Sequence, residues 1–337
     1  MEMKSILAAM VTGTILMAGA LGATGVAPKE IDDKFVGEYA GTFVSPAGEK
    51  ADAVAKVYVR SGRGGLSYRA VLIAVQSGLV QKTVVGPGAK VLVRTELSGS
   101  SAEKAVRLAG RGWTATIRDG KLSAKGKGGA FDLAAVVRKS PTELAKPPAG
   151  AVVLLPYVQG KPTSLAEWTN KKWALLDDGS MMVTGGDNNS KRKVSRFKLH
   201  LEFRIPATGK GSGNSGVYIL DRYEVQILDS FGRKPYKGNC AAVYQTFPPA
   251  ANACLPAGRW QTYDITFRGP KLDGDKVVRL PKVTVVHNGV TVHDNVDVPH
   301  ATGNARSRGH AETGPIRLQS HGSQVRFRNA WIVEIKD

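Results

Sequence analysis

Cysteine and histidine are scarce in this sequence. Its 337 residues include only two cysteines and six histidines, and no two histidines have the HxH or HExxH spacing. A disulfide-rich scaffold and a thiolate zinc cluster are therefore excluded, and a histidine-based metal site has no support. We accordingly expect no cofactor and no bound metal.

Helical periodicity and long apolar runs are also rare. Beyond residue 27 no stretch approaches the ~20 apolar residues that a membrane span requires. The 39 glycines and 17 prolines, together with many valines and threonines, favour turn-rich β structure. At 42% hydrophobic and 22% charged residues the composition is globular, and the length predicts roughly two domains of ~150 residues.

The first 27 residues have the pattern of a secretory signal peptide. Lys4 precedes an apolar run from Ser5 to Ala20, and small residues follow it. A retained membrane anchor is the alternative, but the run is shorter than ~20 residues and is diluted by glycine and threonine. We therefore expect residues 1–27 to be removed and the remainder to be exported to the periplasm or the cell exterior, without a stable membrane span.

Export would determine the state of Cys240 and Cys254. In an oxidising compartment the two can form a disulfide, which stabilises a short loop by ~3 kcal/mol in the chain-entropy model. Two buried free thiols are the alternative. Neither cysteine has a neighbouring histidine or a CxxC partner in the sequence, so neither is predicted to be catalytic.

Residues 28–139 are predicted to form a small antiparallel β-domain, either a barrel or a sandwich. Alternating stretches are separated by turn signals, and Asp119-Gly120 is typical of a tight hairpin. The domain has no histidine and no carboxylate pair, so no chemistry is predicted for it. The expected strands are 35–43, 53–59, 66–75, 90–95, 113–118, 121–124 and 131–138.

The remainder of the chain is predicted to be a linker followed by a second β-domain. Residues 140–150 contain three prolines and no periodic pattern, which indicates a linker. Residues 151–337 again show many strands, with Asn288-Gly289 as a second hairpin signal, and so many strands in one domain predict a two-sheet jelly-roll sandwich. The expected strands are 198–204, 216–220, 223–228, 260–267, 283–287, 290–295, 316–320, 325–329 and 331–335.

Positive charge is spread evenly along the chain. Residues 28–150 carry 20 basic and 11 acidic residues, and residues 151–337 carry 26 and 16. A nucleic-acid-binding protein more often concentrates such charge in one module with interleaved aromatics, so no nucleic-acid partner is expected. The run Lys191-Arg192-Lys193 is predicted to be a solvated loop, and the even excess of charge favours anionic cell-surface polymers.

The strand 223–228 carries the candidate chemistry. Its apolar residues face the core, so Glu224 and Gln226 face outward. Asp229 would face the core unless a single β-bulge returned it to the face of Glu224. Two carboxylates and an amide would then line one groove, as acid–base chemistry on a sugar requires. The alternative is that Asp229 caps a turn.

The last strands predict a second polar row. Gln319 and His321 share the outward face of the segment 316–321, and Arg328 points outward from the strand 325–329. In one row, these three side chains can bind hydroxyls and stabilise negative charge. The alternative is that these polar residues simply form the solvent-exposed outer face of a sandwich.

Short characteristic segments run in order through the C-terminal domain. They are Leu165…Trp168, LHLEFR at 199–204, GNSGVY at 213–218, YEVQILD at 223–229, PAGRW at 256–260, Asn288-Gly289, GPIRLQSHG at 314–322 and VRFRN at 325–329. Through this ordered combination the domain resembles the 3-keto-disaccharide hydrolase family of bacterial exported proteins; the N-terminal domain is not covered. The resemblance implies an all-β, concanavalin A-like jelly roll whose concave sheet binds sugar.

The resemblance also implies a 3-keto-glycoside as the substrate. A ketone at C3 acidifies the C2 hydrogen, a base removes that proton, and the enolate expels the glycosidic oxygen; water then adds back, so that the net reaction is hydrolysis. On this basis we assign Glu224 as the base, Asp229 as the acid and His321 as a catalytic oxyanion contact. The side chains expected to bind the sugar are Asn214, Tyr218, Gln226, Gln319 and Arg328.

Two other classes of function stay open. A non-catalytic carbohydrate-binding protein on the same sandwich would bind sugar without Glu224 and Asp229. A structural protein of the cell envelope would instead bind anionic polymers in a salt-sensitive manner. The sequence indicates no oligomeric state.

Overall fold

The computed structural model describes residues 30–336, except 64, 77, 79, 82, 103 and 210–212. Strands, turns and loops account for this part of the chain, and no helix in it is long and apolar enough to cross a membrane. The all-β fold class is therefore confirmed. The expected signal peptide, residues 1–27, lies outside the described residues.

The N-terminal domain is a closed antiparallel barrel of eight strands in the order β1-β10-β9-β8-β7-β6-β3-β2, beside which the short strands β4 and β5 pair with each other. Its strands are β1 Gly37–Val44, β2 Lys50–Gly62, β3 Gly65–Val75, β4 Val80–Gln81, β5 Val84–Val85, β6 Val91–Ala102, β7 Ala105–Gly110, β8 Trp113–Arg118, β9 Lys121–Gly126 and β10 Gly129–Val136. The predicted hairpin is confirmed, because Asp119 and Gly120 both have positive φ and join Arg118 to its partner Lys121.

The barrel closes around its own apolar interior. Alternate residues of β8 and β9 are buried, as the two-residue period of a strand requires, and large interior side chains include Tyr39, Phe43 and Phe131. Strand β2 is buried on both faces, because on its outer face Val54 packs against side chains of the barrel's own segment 80–89 and Tyr58 packs against the second domain. There Tyr58 meets Phe231 edge to face, with ring centroids 6.4 Å apart.

The C-terminal domain has two principal sheets, and their apolar faces form one core. The larger sheet has the order β12-β13-β24-β15-β18-β21-β22, with β11 also paired to β24, and the smaller has the order β14-β23-β16-β17. The strands are β11 Val152–Leu155, β12 Ala174–Leu175, β13 Met181–Met182, β14 Asn188–Val194, β15 Arg196–Arg204, β16 Ser215–Ile219, β17 Tyr223–Ile227, β18 Trp260–Arg268, β19 Lys271–Asp273, β20 Lys276–Arg279, β21 Lys282–His287, β22 Val290–Asp297, β23 Gly314–Leu318 and β24 Arg326–Glu334.

Most of the expected strands are present, and the differences are local. The expected strands 325–329 and 331–335 are one continuous strand, β24, with Asn329 at positive φ where the register with β15 shifts. The basic run 191–193 lies within the edge strand β14, so the loop prediction is wrong there, although all three residues are exposed. The pairing of β14 with β23 shifts between Asn189 and Lys193, and an irregular edge strand accommodates successive basic residues without burying their charge.

The two domains meet through a buried charged cluster. Glu38 of the barrel binds both Lys56 and Arg138, and all three residues are buried. Arg138 also donates to the carbonyl of Ala253 in the second domain, at 3.0 Å. A carboxylate shared by two cations, with a carbonyl as a further acceptor, compensates much of the cost of burying these charges.

Residues 140–146, expected to be part of a linker, form a strap across the outer face of the larger sheet. The hydroxyl of Thr142 donates to Asp264 Oδ2 at 2.6 Å, and the amide of Leu144 donates to Glu202 Oε1 at 2.6 Å. The carbonyl of Ala145 accepts a hydrogen bond from Asn329 at 3.0 Å. The strap therefore covers this face with polar contacts.

Candidate active site

A row of polar side chains crosses the outer face of the smaller sheet. Arg317 of β23, Tyr218 of β16 and Glu224 of β17 are neighbours across the strands, because the sheet register pairs Tyr218 with both of the others. The apolar residues between them, such as Val217 and Val225, point to the core. The period-2 pattern placed Glu224 on the outward face, and the structure confirms that orientation.

Glu224 is nevertheless almost completely buried, with 2% of its surface exposed. Its Oε2 atom accepts a hydrogen bond of 2.7 Å from the phenol of Tyr218. Its Oε1 atom lies over Gly216, where a Cβ would come within 2.3 Å of it. A glycine is thus required at this position for the carboxyl group to occupy the face.

The surroundings of Glu224 shift the pKa of its carboxyl group towards neutral pH. Burial raises its pKa to about 7, and the hydrogen bond from Tyr218 and the charge of Arg317 oppose that rise only in part. Burial, followed by the charge of Glu224, also raises the pKa of Tyr218, so its phenol stays a hydrogen-bond donor. A carboxyl group with a pKa near the working pH suits a general base.

Arg317 does little to stabilise the Glu224 carboxylate because its guanidinium is already bound. Its Nη1 atom lies 2.6 Å from Asp187, and its Nε atom forms an ion pair with Asp221. The guanidinium stacks on the ring of Tyr218 at 3.7 Å from the centroid. Arg317 therefore fixes the position of the phenol.

The segment 302–304 lies over the pair of Tyr218 and Glu224. The amide of Asn304 donates to the phenol of Tyr218 at 2.9 Å, and the hydroxyl of Thr302 accepts from the backbone amide of Glu224 at 2.6 Å. A Cβ at Gly303 would come within 2.4 Å of Glu224 Oε2. The backbone at Gly303 therefore encloses the carboxyl group of Glu224.

Two amide oxygens beside this row lack a partner among the described residues. They are Oδ1 of Asn214 and Oε1 of Gln319, and both atoms are buried. Gln319 also donates from Nε2 to the phenol of Tyr218 at 3.4 Å. Unpaired buried acceptors suit the hydroxyl groups of a sugar, because burying them without a donor costs about 1–3 kcal/mol each.

Gln226 and His321 contribute less than the sequence suggested. Gln226 is buried on the face of Glu224, but its side-chain oxygen accepts from the amide of Ile227 at 2.9 Å. His321 lies beyond the end of β23 at Leu318, in an exposed turn, and forms no hydrogen bond with another described residue. The alternation that would have aligned it with Gln319 ends with the strand.

Asp229 does not share the environment of Glu224. The pairing of β16 with β17 runs without a shift from Ser215 and Ile227 onward, so the expected β-bulge does not occur within β17. Asp229 instead faces the barrel, where Arg60 binds its carboxylate at 2.9 Å. The expected groove with two carboxylates is therefore wrong, because an ion pair across the domain contact determines the orientation of Asp229.

Arg328 belongs to the other sheet, so its predicted row with Gln319 and His321 is also wrong. It lies on the outer face of the larger sheet, where its Nε atom donates to Glu202 at 2.6 Å and its Nη2 atom donates to Glu143 of the strap at 3.0 Å. Alternation showed that Arg328 points away from the core, but it could not show to which sheet the strand belongs.

The same face of the larger sheet carries a histidine–carboxylate group. The Nδ1 atom of His200 lies 2.6 Å from Asp264, and its Nε2 atom lies 3.5 Å from Glu202. Burial would lower the pKa of His200, but these two carboxylates outweigh it and raise the pKa to about 8. Burial would raise the pKa of Glu202, but His200, Asn329 and Arg328 together hold it below its ordinary value.

Cys240 and Cys254 are two buried thiols in the structure, and the expected disulfide is not formed. They lie close enough for a hydrogen bond between their side chains. The thiol of Cys240 also contacts the phenol of Tyr263 at 3.2 Å. Among the described residues there is no group of three or more histidine, cysteine or acidic side chains that could hold a metal ion.

Residues that the sequence did not single out complete the site. Asp187 precedes β14, Asp221 lies in the turn between β16 and β17, and Gly303 lies in the loop before β23. Asp221 and Gly303 have a local signal, because both have positive φ, at 58° and 50°, which aspartate tolerates and glycine adopts freely. Asp187 acts through contacts that are distant in sequence.

Residues 152–333 match the 3-keto-alpha-glucoside-1,2-lyase-like domain. The chain belongs to this family, and the resemblance seen in the sequence is confirmed. The family places the chain among carbohydrate-active enzymes that act on glycosides.

A candidate glycosyl hydrolase from Parabacteroides distasonis is 32% identical, covers 56% of this chain and 85% of its own, and has a TM-score of 0.49. A second candidate glycosyl hydrolase from the same organism is 21% identical, covers 51% of this chain and 95% of its own, and has a TM-score of 0.39. Comparison with curated proteins gave no match.

Proposed function

We propose that the protein cleaves 3-keto-glycosides by elimination and rehydration, with Glu224 as the base. The observation that carries this proposal is the buried carboxyl group with a pKa of about 7, in contact with a phenol donor. Elimination from a 3-keto sugar needs a base at C2 and hydrogen-bond donors for the enolate, but no strong nucleophile. The two-carboxylate mechanism of glycosidases is not supported, because Asp229 is bound to Arg60.

The proposed steps balance with a single acid–base group. The carboxylate of Glu224 takes the C2 proton, and the C2–H electrons form the enolate, whose oxygen the phenol of Tyr218 stabilises. The C3 ketone then re-forms, the C2 electron pair of the enolate makes the new C1–C2 double bond as the C1–O bond breaks, and protonated Glu224 gives its proton to the departing oxygen. Water then adds to C1 while a proton returns to C2, which releases a free 3-keto sugar.

Two further features support this assignment of roles. The unpaired oxygens of Asn214 and Gln319 would accept hydrogen bonds from the sugar hydroxyls. Because Glu224 is enclosed, the substrate would reach it only after the segment 302–304 moves aside. The glycine and the exposed Asn304 in that segment are compatible with such a movement.

The experiment compares 3-keto-trehalose and a 3-keto-glucoside with the corresponding unoxidised sugars. The wild-type protein is expected to release 3-keto-glucose from the keto substrates alone. Glu224→Gln is expected to lower the rate by about 10²–10⁴-fold, the usual contribution of a general base. Glu334→Gln, which changes a half-exposed carboxylate of the same domain, is the matched control and should keep the rate.

Saturable sugar binding without turnover would replace this proposal with a non-catalytic carbohydrate-binding module. Turnover of the unoxidised sugars at the same rate would show that the C3 ketone is not required. Full activity in Glu224→Gln would exclude Glu224 as the base.

We also propose that the protein is exported, on the basis of the charged and apolar N-terminal segment. Expression of the full chain followed by cell fractionation and N-terminal sequencing tests this. A processed protein outside the cytoplasm is expected, and an unprocessed cytoplasmic protein would contradict it.

A further inference from the structure

A second cleft lies where the barrel meets the loop that follows β17, apart from the row that contains Glu224. Its volume is about 490 Å³, within the range of ~300–1,000 Å³ that is usual for small-molecule sites. The barrel contributes the ends of β3 and β6 and the segment 83–89, and the second domain contributes the segment 232–235 and part of 250–254.

The charge of the cleft has one sign. Lys56, Arg94, Arg233 and Lys234 line it, and none of its described lining residues is acidic. Lys56 shares the carboxylate of Glu38 with Arg138. The other three form no ion pair with any described residue, and Arg94 donates only to the carbonyl of Gly232, at 2.9 Å. Cations gathered around a partly enclosed space raise the local concentration of anions.

A buried hydroxyl group lies in the same cleft. Thr83 is completely buried, and its Oγ1 atom has no hydrogen-bond partner among the described residues. Leaving a buried hydroxyl without a partner is unfavourable, and such a group in a native structure requires an explanation, such as a bound water or ion. Its Oγ1 atom is closed from solvent in this structure, so Thr83 donates to an anionic oxygen only when the lining of the cleft moves to admit it.

The rest of the lining is largely apolar. The walls of the cleft include the side chains of Ile73, Val85, Val91 and Ala250. An apolar part of a ligand would be removed from water by packing against them. Inorganic anions have no apolar surface that these walls could bury. An amphipathic molecule with one anionic end satisfies both the cations and the walls.

We propose that this cleft binds a small organic anion with an apolar body, such as a carboxylate or a phosphate monoester. The anionic end accepts hydrogen bonds from Thr83 and Arg94, and it neutralises the charge of Arg233 and Lys234. The barrel, for which the sequence predicted no chemistry, thereby supplies half of a binding site. The proposal does not depend on the activity assigned to Glu224.

Calorimetric titration of the full-length protein with four probes tests the proposal. Octanoate and octyl phosphate carry the proposed chemistry and distinguish the two kinds of anion, whereas octanol and octylammonium keep the chain and change the charge. Saturable binding of at least one anion is expected, with no binding of the neutral or cationic probe. Inorganic phosphate should bind more weakly than octyl phosphate.

Variants of the lining locate the site. Thr83→Val keeps the shape of the side chain and is expected to weaken anion binding about tenfold, as the loss of a hydrogen bond to a charged group does. The double variant Arg233→Gln/Lys234→Gln changes exposed residues and should weaken it about threefold to tenfold. Lys237→Gln, an exposed lysine of the same loop outside the lining, is the matched control and should bind normally.

Equal binding of octanol or octylammonium, or no saturable binding of either anion, would overturn the proposal. Unchanged anion binding in both Thr83→Val and the double variant would overturn it as well. Glu224→Gln should bind the anion normally while losing turnover, so the two proposals fail independently.

Discussion

The two sheets of the sandwich each bury a glutamate on their outer face, but they surround it differently. On the larger sheet Glu202 accepts hydrogen bonds from Arg328 and Asn329, and its partners hold its pKa below the ordinary value even though burial opposes them. On the smaller sheet Glu224 accepts a single side-chain hydrogen bond, from Tyr218, and burial raises its pKa to about 7. Only the second carboxyl group can exchange a proton near neutral pH.

The comparison shows that proximity to an arginine does not decide the state of a buried carboxyl group. Arg328 directs its Nε atom at Glu202, so the carboxylate is neutralised. Arg317 is also near Glu224, but Asp187 and Asp221 occupy its guanidinium. The first arrangement stabilises the sheet and its strap, and the second leaves a base with little compensation for its charge.

The largest expected effect is on stability and concerns Glu202. Replacing it in Glu202→Gln leaves the buried Arg328 with only the strap residue Glu143 as an ion-pair partner. Loss of one partner from a buried ion pair costs about 3–5 kcal/mol, so urea unfolding should show a decrease of that size in the free energy of unfolding. The folded fraction should keep its turnover. Unchanged stability would show that Glu202 does not hold the strap.

The next largest effect is the pH dependence of stability contributed by Glu224. Because its folded-state pKa is raised from 4.5 to about 7, folding favours the protonated form, and stability falls as the pH rises through that range. Glu224→Gln cannot ionise, so its stability relative to wild type should increase by up to ~3 kcal/mol between pH 4 and pH 8. Chemical denaturation at these two pH values measures the difference, and a constant difference would contradict the raised pKa.

Activity should show the same titration. A base with a pKa of about 7 is active only when ionised, so kcat/KM for a 3-keto-glucoside should fall about tenfold per pH unit below that value. An acid limb near pH 4.5 would instead place the base in a solvated environment, as expected for an ordinary carboxylate.

A smaller effect is expected from the cover of the site. At Gly303 φ is +50°, and a Cβ would come within 2.4 Å of Glu224 Oε2 and 2.8 Å of the phenol oxygen of Tyr218. Gly303→Ala should therefore displace the amide of Asn304, which positions the phenol of Tyr218, and lower turnover about tenfold, which corresponds to about 1.4 kcal/mol. Gly309→Ala, in the same loop, meets no atom within 4 Å and should keep the wild-type rate. Equal rates in both variants would show that the contact is not needed.

Much of the fold follows from local sequence patterns. Alternation predicted most of the longer strands, and the hairpins at Asp119-Gly120 and Asn288-Gly289 follow from residues that tolerate positive φ. Strands β7 and β14 and the short strands had weak alternation of their own and were not predicted. Their places depend on neighbours in the sheet, which supply hydrogen bonds that short segments cannot satisfy alone.

The site was predicted only where alternation decides it. Glu224 could be placed on the outward face from its own strand. Asp229 could not, because Arg60 of the other domain binds it, and Arg328 could not, because sheet membership depends on pairing with β15. The segment 302–304 and Asp187 reach the site through contacts that are distant in sequence.

The state of Cys240 and Cys254 stays a separate prediction for the exported protein. The two thiols are adjacent and buried, so an oxidising compartment can convert them to the expected disulfide with the loss of two hydrogens. Mass spectrometry of protein purified from the periplasm would detect that loss. Free thiols in such material would leave both as structural residues.

The central claim is that Glu224 removes the C2 proton of a 3-keto-glycoside. It is tested most directly by single-turnover release of 3-keto-glucose from a 3-keto-glucoside with hydrogen or deuterium at C2. We predict slower release from the deuterated substrate by the wild-type protein and little release from either substrate by Glu224→Gln. Equal rates for both isotopes, together with full turnover by Glu224→Gln, would contradict the claim.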